Sequence, residues 1–502
     1  MSLYSIYACD KINLTEMDFL DKNFYKSCVE TNNRIKSEKF EKIRLPKMKL
    51  LLGGEQYYDT LFKAIDRASY QIWLVNYTLE NSLVGNIYLK KLIQASQRGV
   101  KCFVFIDNLV SNPNDELLQE LKQAGGKVLY RNPKQYIWQM LVRSYFQRDH
   151  EKVCLADNVL ILGSSNIASE YGGIKYGNNF FTDLNIYMKN VCIKDTLVFF
   201  DLMRRNLSGL DQYKIPKKHN YIDEYVRKFP ESPFGWKNVN LLRSFYPWIE
   251  EIQHYMLERI KQAKSNIRIV SPYYYPIKEI DEALLDAKRR GVSVEFVTSL
   301  RRDVPAYKSL QNSVLFKEYI KEGIDVYEFT KNHLHAKAIC VDGKYVNMGS
   351  FNLDHWSWYN NNEMNVEIAN SPDISMQFDR IYYKLKKHSR KVEYKEDYES
   401  LIDKVKNRYW HWFLITSINL MCYRNFYQRF RKIYVPNDEY LEPTENMKDF
   451  IESDTGNLDD DRIKEDILQE SKDGDKIKKI RNLKQKFSDR LNEILKTSKS
   501  NK

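Results

Sequence analysis

One spacing of polar residues occurs twice, in His150-Glu151-Lys152-Val153-Cys154-Leu155-Ala156-Asp157 and in His335-Ala336-Lys337-Ala338-Ile339-Cys340-Val341-Asp342. Gly163-Ser164-Ser165-Asn166 follows the first stretch, and Gly349-Ser350-Phe351-Asn352 follows the second. At ordinary residue frequencies, a given histidine meets the His-x-Lys-x4-Asp pattern by accident about once in 150 cases. Two matches among only 8 histidines therefore indicate a duplicated functional element.

The repeat extends upstream of these motifs. Residues 57–107 read as a helix, an apolar strand, a second helix and a second strand, and residues 252–299 follow the same order. In each copy the second helix ends at a glycine, Gly99 or Gly291, which is the usual residue just past a helix end. Strands that alternate with helices predict helices packed on the faces of a sheet. The sequence thus predicts an α/β protein built from two copies of one unit, at 46–215 and 216–392.

Three further segments flank these two units. Residues 1–45 are polar and weakly patterned, and are interpreted as an N-terminal arm. Segment 393–435 holds an aromatic run without charges at 409–423, flanked by lysines and arginines; it fits either a helix in a membrane interface or a buried packing helix. Segment 436–502 is an acidic block followed by a basic one, which predicts a charged, partly helical tail.

The composition restricts the classes of partner. The 502 residues carry 79 lysines and arginines against 67 acids, a net charge of +12 that suits nucleic acid or an acidic lipid surface. The 7 cysteines include no C-x-x-C pair, so we expect neither a disulfide framework nor a zinc module. This cysteine usage favours a reducing compartment. We find no uncharged apolar stretch of the length of a membrane span and no signal or transit peptide.

Each motif predicts a β-hairpin. Apolar residues precede Asp157 and Asp342, the chain turns there, and a second apolar strand follows. Because residues i and i+2 of a strand project to one face, the histidine and lysine of each motif should point the same way. The second strand would then bring Asn166 or Asn352 back beside them. The first motif is one residue shorter between the aspartate and the glycine, which leaves the position of Asn166 open.

The two halves together would place two histidines, two lysines and two asparagines around one pocket. This set suits phosphoryl transfer without a metal: one imidazole attacks phosphorus, and the other serves as acid and then base. A carboxylate normally orients such a histidine, and one candidate follows each motif. We find no metal-ligand spacing and expect no cofactor. The predicted site residues are His150, Lys152, Asp157, Asn166, His335, Lys337, Asp342 and Asn352, supported by Ser164, Ser350, Asp183 and Glu363.

The motifs resemble the two H-x-K-x4-D motifs of the phospholipase D superfamily, and within it the bacterial-type cardiolipin synthases. The resemblance also covers Glu170-Tyr171, Phe181-Thr182-Asp183-Leu184, Ser271-Pro272-Tyr273-Tyr274-Tyr275-Pro276, and Ser357 with Asn362-Glu363, within about 46–432. It implies two fused phospholipase-D-like α/β/α sandwich domains related by pseudo-two-fold symmetry, followed by C-terminal helices and the charged tail.

The resemblance also implies a function. Phosphatidylglycerol, or a similar phospholipid, would give its phosphatidyl group to His150, and a second phosphatidylglycerol would accept it to form cardiolipin. His335 would act as acid and base, and Asp157 and Asp342 would be structural. The enzyme would lie on an anionic membrane surface, which is the mitochondrial inner membrane for a eukaryotic chain or the cytoplasmic membrane for a bacterial one.

Three alternatives stay open: a phospholipase D-type hydrolase, a nuclease of the same superfamily, and an inactive scaffold. The aromatic-basic segment disfavours nucleic acid as the substrate. The sequence gives neither the acceptor, nor the headgroup preference, nor the oligomeric state.

Overall fold

The computed structural model describes residues 47–107, 110–131, 148–191, 228, 238–245, 249–300, 316–359 and 361–393. The predicted N-terminal arm 1–45 and charged tail 436–502 lie outside the described residues. So do the aromatic-basic segment 393–435, apart from its first residue, and the end of the first predicted unit beyond residue 191.

The first half of the chain forms the alternating elements that the sequence predicts. The helix and strand at 57–107 are followed by a third helix, a fourth strand and the motif hairpin. A single 3₁₀ turn, Ser169–Tyr171, comes after the hairpin. The elements are β1 Lys47–Leu52, α1 Gly54–Arg67, β2 Gln71–Asn76, α2 Leu83–Gln97, β3 Lys101–Asp107, α3 Asp115–Gln123, β4 Lys127–Arg131, β5 Lys152–Ala156, β6 Val159–Gly163, α4 Gly173–Tyr176, β7 Phe181–Thr182 and β8 Leu184–Lys189.

The second half repeats this order with a few additional short strands. Gly99 and Gly291 both have φ near +90°, at 86° and 90°, as expected of glycines that end α2 and its counterpart. The elements are β9 Val239–Phe245, β10 Ile249–Glu250, α5 Glu251–Gln262, β11 Asn266–Val270, β12 Tyr274–Tyr275, α6 Lys278–Arg289, β13 Ser293–Ser299, α7 Phe316–Lys321, β14 Asp325–Phe329, β15 His333–Leu334, β16 Ala338–Val341, β17 Tyr345–Gly349, β18 Leu353–Asp354, α8 His355–Tyr359, β19 Asn362–Ala369, α9 Pro372–Lys387 and β20 Ser389–Lys391.

Each half is built on one mixed sheet. Among the described residues, the first sheet has the strand order β1-β8-β6-β5-β2-β3-β4, and the second has the order β10-β9-β19-β17-β16-β11-β13-β14-β20. In both, three strands joined by helices run parallel, and the motif hairpin pairs antiparallel beside them. The predicted α/β class with two equivalent units is confirmed.

Within the described ranges, three apolar cores hold the layers together. One lies between the first sheet and helices α1 to α3, with Phe62 and Leu92 among its members. Another lies between the second sheet and helices α5 to α7, with Ile260 and Leu284. The third joins the inner faces of both sheets and also contains Phe378 of α9. Because this core takes residues from both halves, the two sheets are packed as one body.

The hairpins begin later than the sequence predicts. β5 starts at Lys152 and β16 starts at Ala338, so both motif histidines precede the strand and the prediction that they lie on it is wrong. The physical reason is that their backbone is paired elsewhere: His150 N–H donates to the Asn362 carbonyl and His335 N–H donates to the Thr182 carbonyl, both at 2.9 Å.

The one-residue difference between the two motifs is confined to the hairpin turns. Ala156 faces Val159 across a two-residue turn in the first hairpin, whereas Val341 faces Tyr345 across a three-residue turn in the second. Beyond the turns the registers agree, since Gly163 faces Asn185 and Gly349 faces Asn365 on the next strand. Asn166 therefore leaves its hairpin from the same sheet position as Asn352.

Both motif aspartates fasten a turn to the preceding helix–strand loop. The Asp157 carboxylate accepts from the backbone N–H groups of Ser69, Tyr70 and Gln71 at 2.8, 3.0 and 2.9 Å. Asp342 accepts in the same way from Lys264, Ser265 and Asn266 at 3.0, 2.7 and 3.1 Å. Both aspartates have a positive φ, 51° and 55°, which a short polar side chain tolerates.

We expect Asp157→Ala and Asp342→Ala each to lower the free energy of unfolding by about 2–4 kcal/mol. Each removes charge-assisted hydrogen bonds to three backbone donors and leaves alanine in the left-handed region. Urea unfolding of the purified variants measures the change. Asn158→Ala, in the same turn as Asp157, is the matched control and should cost less than about 1 kcal/mol. Equal effects at 157 and 158 would contradict this role.

Candidate active site

The two motif histidines are each paired with a carboxylate from the opposite half of the chain. His150 Nδ1 lies 3.0 and 2.9 Å from the two carboxylate oxygens of Glu363. His335 Nδ1 lies 2.9 Å from Asp183 Oδ1. All four side chains are buried. The two predicted carboxylate candidates thus lie at the histidines, but each serves the histidine of the other half.

Backbone pairing between the halves fixes this crosswise arrangement. Asp149 forms a parallel bridge with Asn362, and the next residue along each strand is His150 or Glu363. In the other half, β15 pairs in parallel with β7, so that Leu334 faces Thr182 and the next residues are His335 and Asp183. In both cases, the histidine and the carboxylate that contact each other are the residues directly after a pair of bridged residues.

Glu363 is surrounded by hydrogen-bond donors. Ser350 Oγ donates to one carboxylate oxygen at 2.5 Å, and Ser357 Oγ and Asn361 Nδ2 donate to the other at 2.6 and 3.0 Å. Ser164, the counterpart of Ser350, donates to the Leu184 carbonyl at 3.1 Å beside Asp183. These contacts orient the Glu363 carboxylate and leave it as an acceptor for His150 Nδ1–H.

The two lysines lie against the histidines of their own motifs. Lys152 Nζ donates to the His150 carbonyl at 2.6 Å and lies 4.8 Å from the centre of the Tyr77 ring. Lys337 Nζ donates to the His335 carbonyl at 2.7 Å and lies 3.1 Å from His335 Nε2. Both side-chain nitrogens are therefore held within reach of a group bound at the imidazoles, and burial holds the pKa of Lys152 well below its ordinary value.

The two asparagines are buried at the ends of the hairpins. Asn166 Nδ2 donates to the Tyr171 hydroxyl at 2.9 Å, and the backbone of Asn352 donates to Ser357 Oγ at 3.1 Å. Neither side-chain carbonyl has a partner within the part of the chain that the structure describes. Since buried polar groups are normally paired, each amide retains capacity to bind a ligand.

Aromatic rings enclose both imidazoles. The Tyr77 ring lies edge-on to His150, with centroids 4.7 Å apart. Tyr171 and Phe181 lie 5.3 and 5.1 Å from the His335 ring, and the two stack on each other at 4.5 Å. Aromatic rings therefore pack against the imidazole of each half.

Burial favours the neutral form of both imidazoles. Burial and the nearby Lys337 lower the pKa of His335 to about 4. Burial, Lys152 and Lys337 hold the pKa of His150 well below its ordinary value. Burial also raises the pKa of the Glu363 carboxyl to about 7, against the lowering influence of Lys152 and the hydroxyl donors. With Nδ1–H directed at a carboxylate, Nε2 of each histidine carries a lone pair toward the pocket.

Sequence reasoning missed three residues of this site. Tyr77 follows the buried strand β2 directly, at the sheet edge where the hairpins also end, and this placement could have identified it. Arg148 and Asp149 lie beside His150 and are buried with it. The Asn362 side chain donates to Asp149, and Asp107 lies 3.6 Å from Arg148, which makes an ionic network behind the histidine.

Across the described residues, no cluster of histidine, cysteine, aspartate or glutamate has the arrangement of a metal site. Within the same ranges, no helix combines the length and the apolar character needed to cross a bilayer.

Comparison with known proteins identifies the family. The family model described as "Cardiolipin synthase, PLD-like domain" matches residues 61–189 and again residues 256–386. The chain belongs to the cardiolipin synthase family of phospholipase-D-like proteins. It is accordingly an enzyme of the phosphatidyltransferase class, and each matched segment contains most of the strands of one sheet.

Curated cardiolipin synthases resemble the chain over most of its length. Cardiolipin synthase B of Shigella flexneri is 29% identical over 326 residues, which are 64% of this chain and 76% of that protein. A cardiolipin synthase of Clostridium perfringens is 26% identical over 396 residues, 78% of this chain and 79% of that protein. Among solved structures, phosphatidylserine synthase of Haemophilus influenzae has a TM-score of 0.58 at 15% identity, covering 78% of this chain and 99% of that one, and so shares its fold.

Replacing either carboxylate by its amide should reduce turnover while leaving the fold intact. Asp183→Asn and Glu363→Gln remove the acceptor that fixes the histidine tautomer, so we expect kcat to fall by about 10²–10⁴ with little change in KM. Steady-state kinetics on a phospholipid substrate measures this. The matched control is Glu367→Gln, on the same strand as Glu363 but paired with Arg259, which should lower stability rather than kcat. Unchanged kcat in both amide variants would contradict the pairing.

The low pKa of His335 also makes stability depend on pH. In the unfolded chain the imidazole titrates near its ordinary pKa of about 6.5, whereas in the native state its pKa is about 4. Between these values the unfolded state binds more protons, so the free energy of unfolding falls as the pH falls, by about 2 kcal/mol at about pH 5. His335→Asn keeps a donor for Asp183 but removes the titration. Urea unfolding at about pH 7 and about pH 5 should therefore show a smaller loss in the variant, and equal losses would refute the low pKa.

Proposed function

We propose that this enzyme makes cardiolipin from two molecules of phosphatidylglycerol through a covalent phosphatidyl-histidine intermediate. The observation that carries the proposal is the pair of buried imidazoles, each held at Nδ1 by a carboxylate from the opposite half. Membership in the cardiolipin synthase family supports the substrate, and the buried lysines support an anionic phosphodiester between the two rings.

In the first step, His150 Nε2 attacks the phosphorus of phosphatidylglycerol. A phosphorus–nitrogen bond forms, the bond from phosphorus to the glycerol oxygen breaks, and His335 Nε2–H gives its proton to that oxygen. Burial and Lys337 lower the pKa of His335, and a bound phosphodiester supports its protonation because the negative charge offsets the contribution of Lys337. Glycerol then leaves.

In the second step, a hydroxyl of another phosphatidylglycerol gives its proton to His335 Nε2 and attacks the same phosphorus. The phosphorus–nitrogen bond breaks, His150 is released as a neutral imidazole, and His335 is left protonated for the next cycle. Tyr171 and Phe181 pack against the His335 ring, and this aromatic surrounding supports a lipid alcohol as acceptor.

Lys152, Lys337, Asn166 and Asn352 would bind the non-bridging oxygens throughout. The charge that develops on these oxygens is then stabilised by fixed ammonium and amide groups. The lipid substrate also requires attachment to a membrane, for which we propose the aromatic-basic segment 404–432 as one contact with anionic headgroups.

His150→Ala and His335→Ala should each abolish cardiolipin formation, because each half supplies one indispensable imidazole. They should differ in trapping: labelled phosphatidylglycerol should leave an adduct on His335→Ala, at His150, and none on His150→Ala. Acid-free proteolysis and mass spectrometry locate the label. Full activity in either variant would refute the mechanism, and an adduct at His335 would reverse the two roles.

The lipid products decide between transfer and hydrolysis. Purified enzyme and phosphatidylglycerol vesicles should give cardiolipin and glycerol in equal amounts, measured by mass spectrometry. Phosphatidic acid as the main product would identify a hydrolase. Release of nucleotides from DNA or RNA under the same conditions, without lipid products, would identify a nuclease.

Turnover should persist in the presence of a chelator, because ammonium and amide groups are placed to neutralise the phosphodiester. Assays with lipid dispersed in detergent separate the chemical step from effects of divalent ions on vesicles. We expect rates with and without chelator to agree within about twofold. Complete loss that an added divalent ion restores would contradict the metal-free mechanism.

A further inference from the structure

Exposed apolar side chains lie beside the active site. Within the described residues, the large apolar side chains that are most exposed include Ile174 at 81% and Phe180 at 40%. Both belong to the segment between the 3₁₀ turn and β7, which leads directly to Asp183. Single exposed apolar residues are common on proteins, but here two of them lie on one short segment that leads to a site residue.

The segment is seated firmly, so the exposure of Ile174 is a fixed feature. Asp59 on α1 accepts from Lys175 Nζ at 2.7 Å and from the Tyr176 hydroxyl at 2.6 Å. The backbone N–H of Lys175 donates to Glu55 at 3.2 Å. The two residues that follow Ile174 are thus tied to α1, whereas Ile174 itself projects outward.

Aromatic rings connect this surface to the catalytic imidazole. The Phe180 ring lies 4.9 Å from the Phe181 ring, and the Phe181 ring lies 5.1 Å from the His335 ring. Phe180 is exposed and Phe181 is buried. An acyl chain that enters at Phe180 can therefore remain in contact with aromatic rings as far as His335.

The second half of the chain completes the same surface with a cation. Asn332 donates to the Asn179 carbonyl at 3.0 Å and accepts from the Thr182 hydroxyl at 2.7 Å. This places the neighbouring Lys331, which is exposed, beside the segment. Lys175 is also exposed, with 55% of its side chain accessible although it contacts Asp59. Because Lys175 is paired with Asp59 and its backbone with Glu55, the contact with an anionic headgroup above the acyl chains falls to Lys331.

We propose that Ile174 and Phe180 insert into the surface of an anionic phospholipid bilayer, and that the acyl chains of the substrate follow Phe180 and Phe181 toward His335. The inference rests on the proposed function, because a lipid substrate gives the surface its occupant. It assigns a membrane contact to described residues next to the catalytic pocket. This contact is separate from the aromatic-basic segment near the end of the chain.

Two substitutions at Ile174 test the contact in opposite directions. Ile174→Asn should reduce, and Ile174→Trp should increase, the fraction of enzyme that floats with phosphatidylglycerol–phosphatidylcholine vesicles. We expect a change of about tenfold in the partition coefficient for Ile174→Asn, because an exposed isoleucine loses its apolar burial in the bilayer. Met376→Asn is the matched control, since Met376 is 49% exposed on α9, and it should float like the wild type.

Turnover measured on two forms of the substrate separates attachment from chemistry. Ile174→Asn should lose activity on vesicles in proportion to its binding, but keep wild-type activity on short-chain phosphatidylglycerol dissolved as monomers. Phe180→Asn should also raise KM for the monomer, because it removes a carbon contact on the route to His335.

Two results would overturn the inference, and a third would contradict only the proposed function on which it rests. Wild-type flotation by both Ile174 variants overturns it. A change of oligomeric state in Ile174→Asn, measured by analytical ultracentrifugation, with unchanged flotation also overturns it, because the surface would then be a contact between copies of the chain. If the wild type floats but forms no cardiolipin from either substrate, the proposed function fails while the membrane contact stands.

Discussion

The structure depends on a backbone hydrogen bond that each motif histidine donates to a strand of the opposite half. His150 N–H donates to Asn362, and His335 N–H donates to Thr182. Each accepting residue is followed directly by the carboxylate that orients the histidine. A displacement of one half against the other would therefore separate both imidazoles from their carboxylates at once. The apolar core shared by the two sheets prevents that displacement. The packing of the two halves and the geometry of the site are therefore linked by these two backbone hydrogen bonds.

Burial determines the electrostatics of the site. Two lysines and two histidines in one pocket repel a further positive charge, and both imidazoles respond by staying neutral. In the proposed mechanism, a bound phosphodiester would add negative charge beside Lys337 and so favour the protonation of His335. The two carboxylates contact the Nδ1 atoms and also interact with the lysines, since the charge of Lys152 acts to lower the pKa of Glu363 and that of Lys337 acts to lower the pKa of Asp183.

The sequence predicts much of this arrangement and fails at identifiable points. The repeat around Gly99 and Gly291 predicts the elements because local periodicity and helix ends are encoded locally. The crosswise pairs are not local: Glu363 is 213 positions from its histidine, and Asp183 is 152 positions from its own. The predicted start of each motif strand is wrong for the same reason. The backbone N–H groups of His150 and His335 bond to residues of the opposite half, and no neighbouring residue in the sequence indicates these bonds.

The two hairpin turns differ in length without any change in the strands that follow, which matters when such motifs are compared between sequences. Asp157 and Asp342 are fastened to the loop behind them, whereas Gly163 and Gly349 are placed by the ladder that runs away from the turn. Residues can therefore be gained or lost at the tip while the asparagine beyond the glycine stays where it is. A search that requires a fixed number of residues between the aspartate and the glycine would therefore miss one of the two motifs. A search based on the residue paired with the motif lysine in the hairpin would find both.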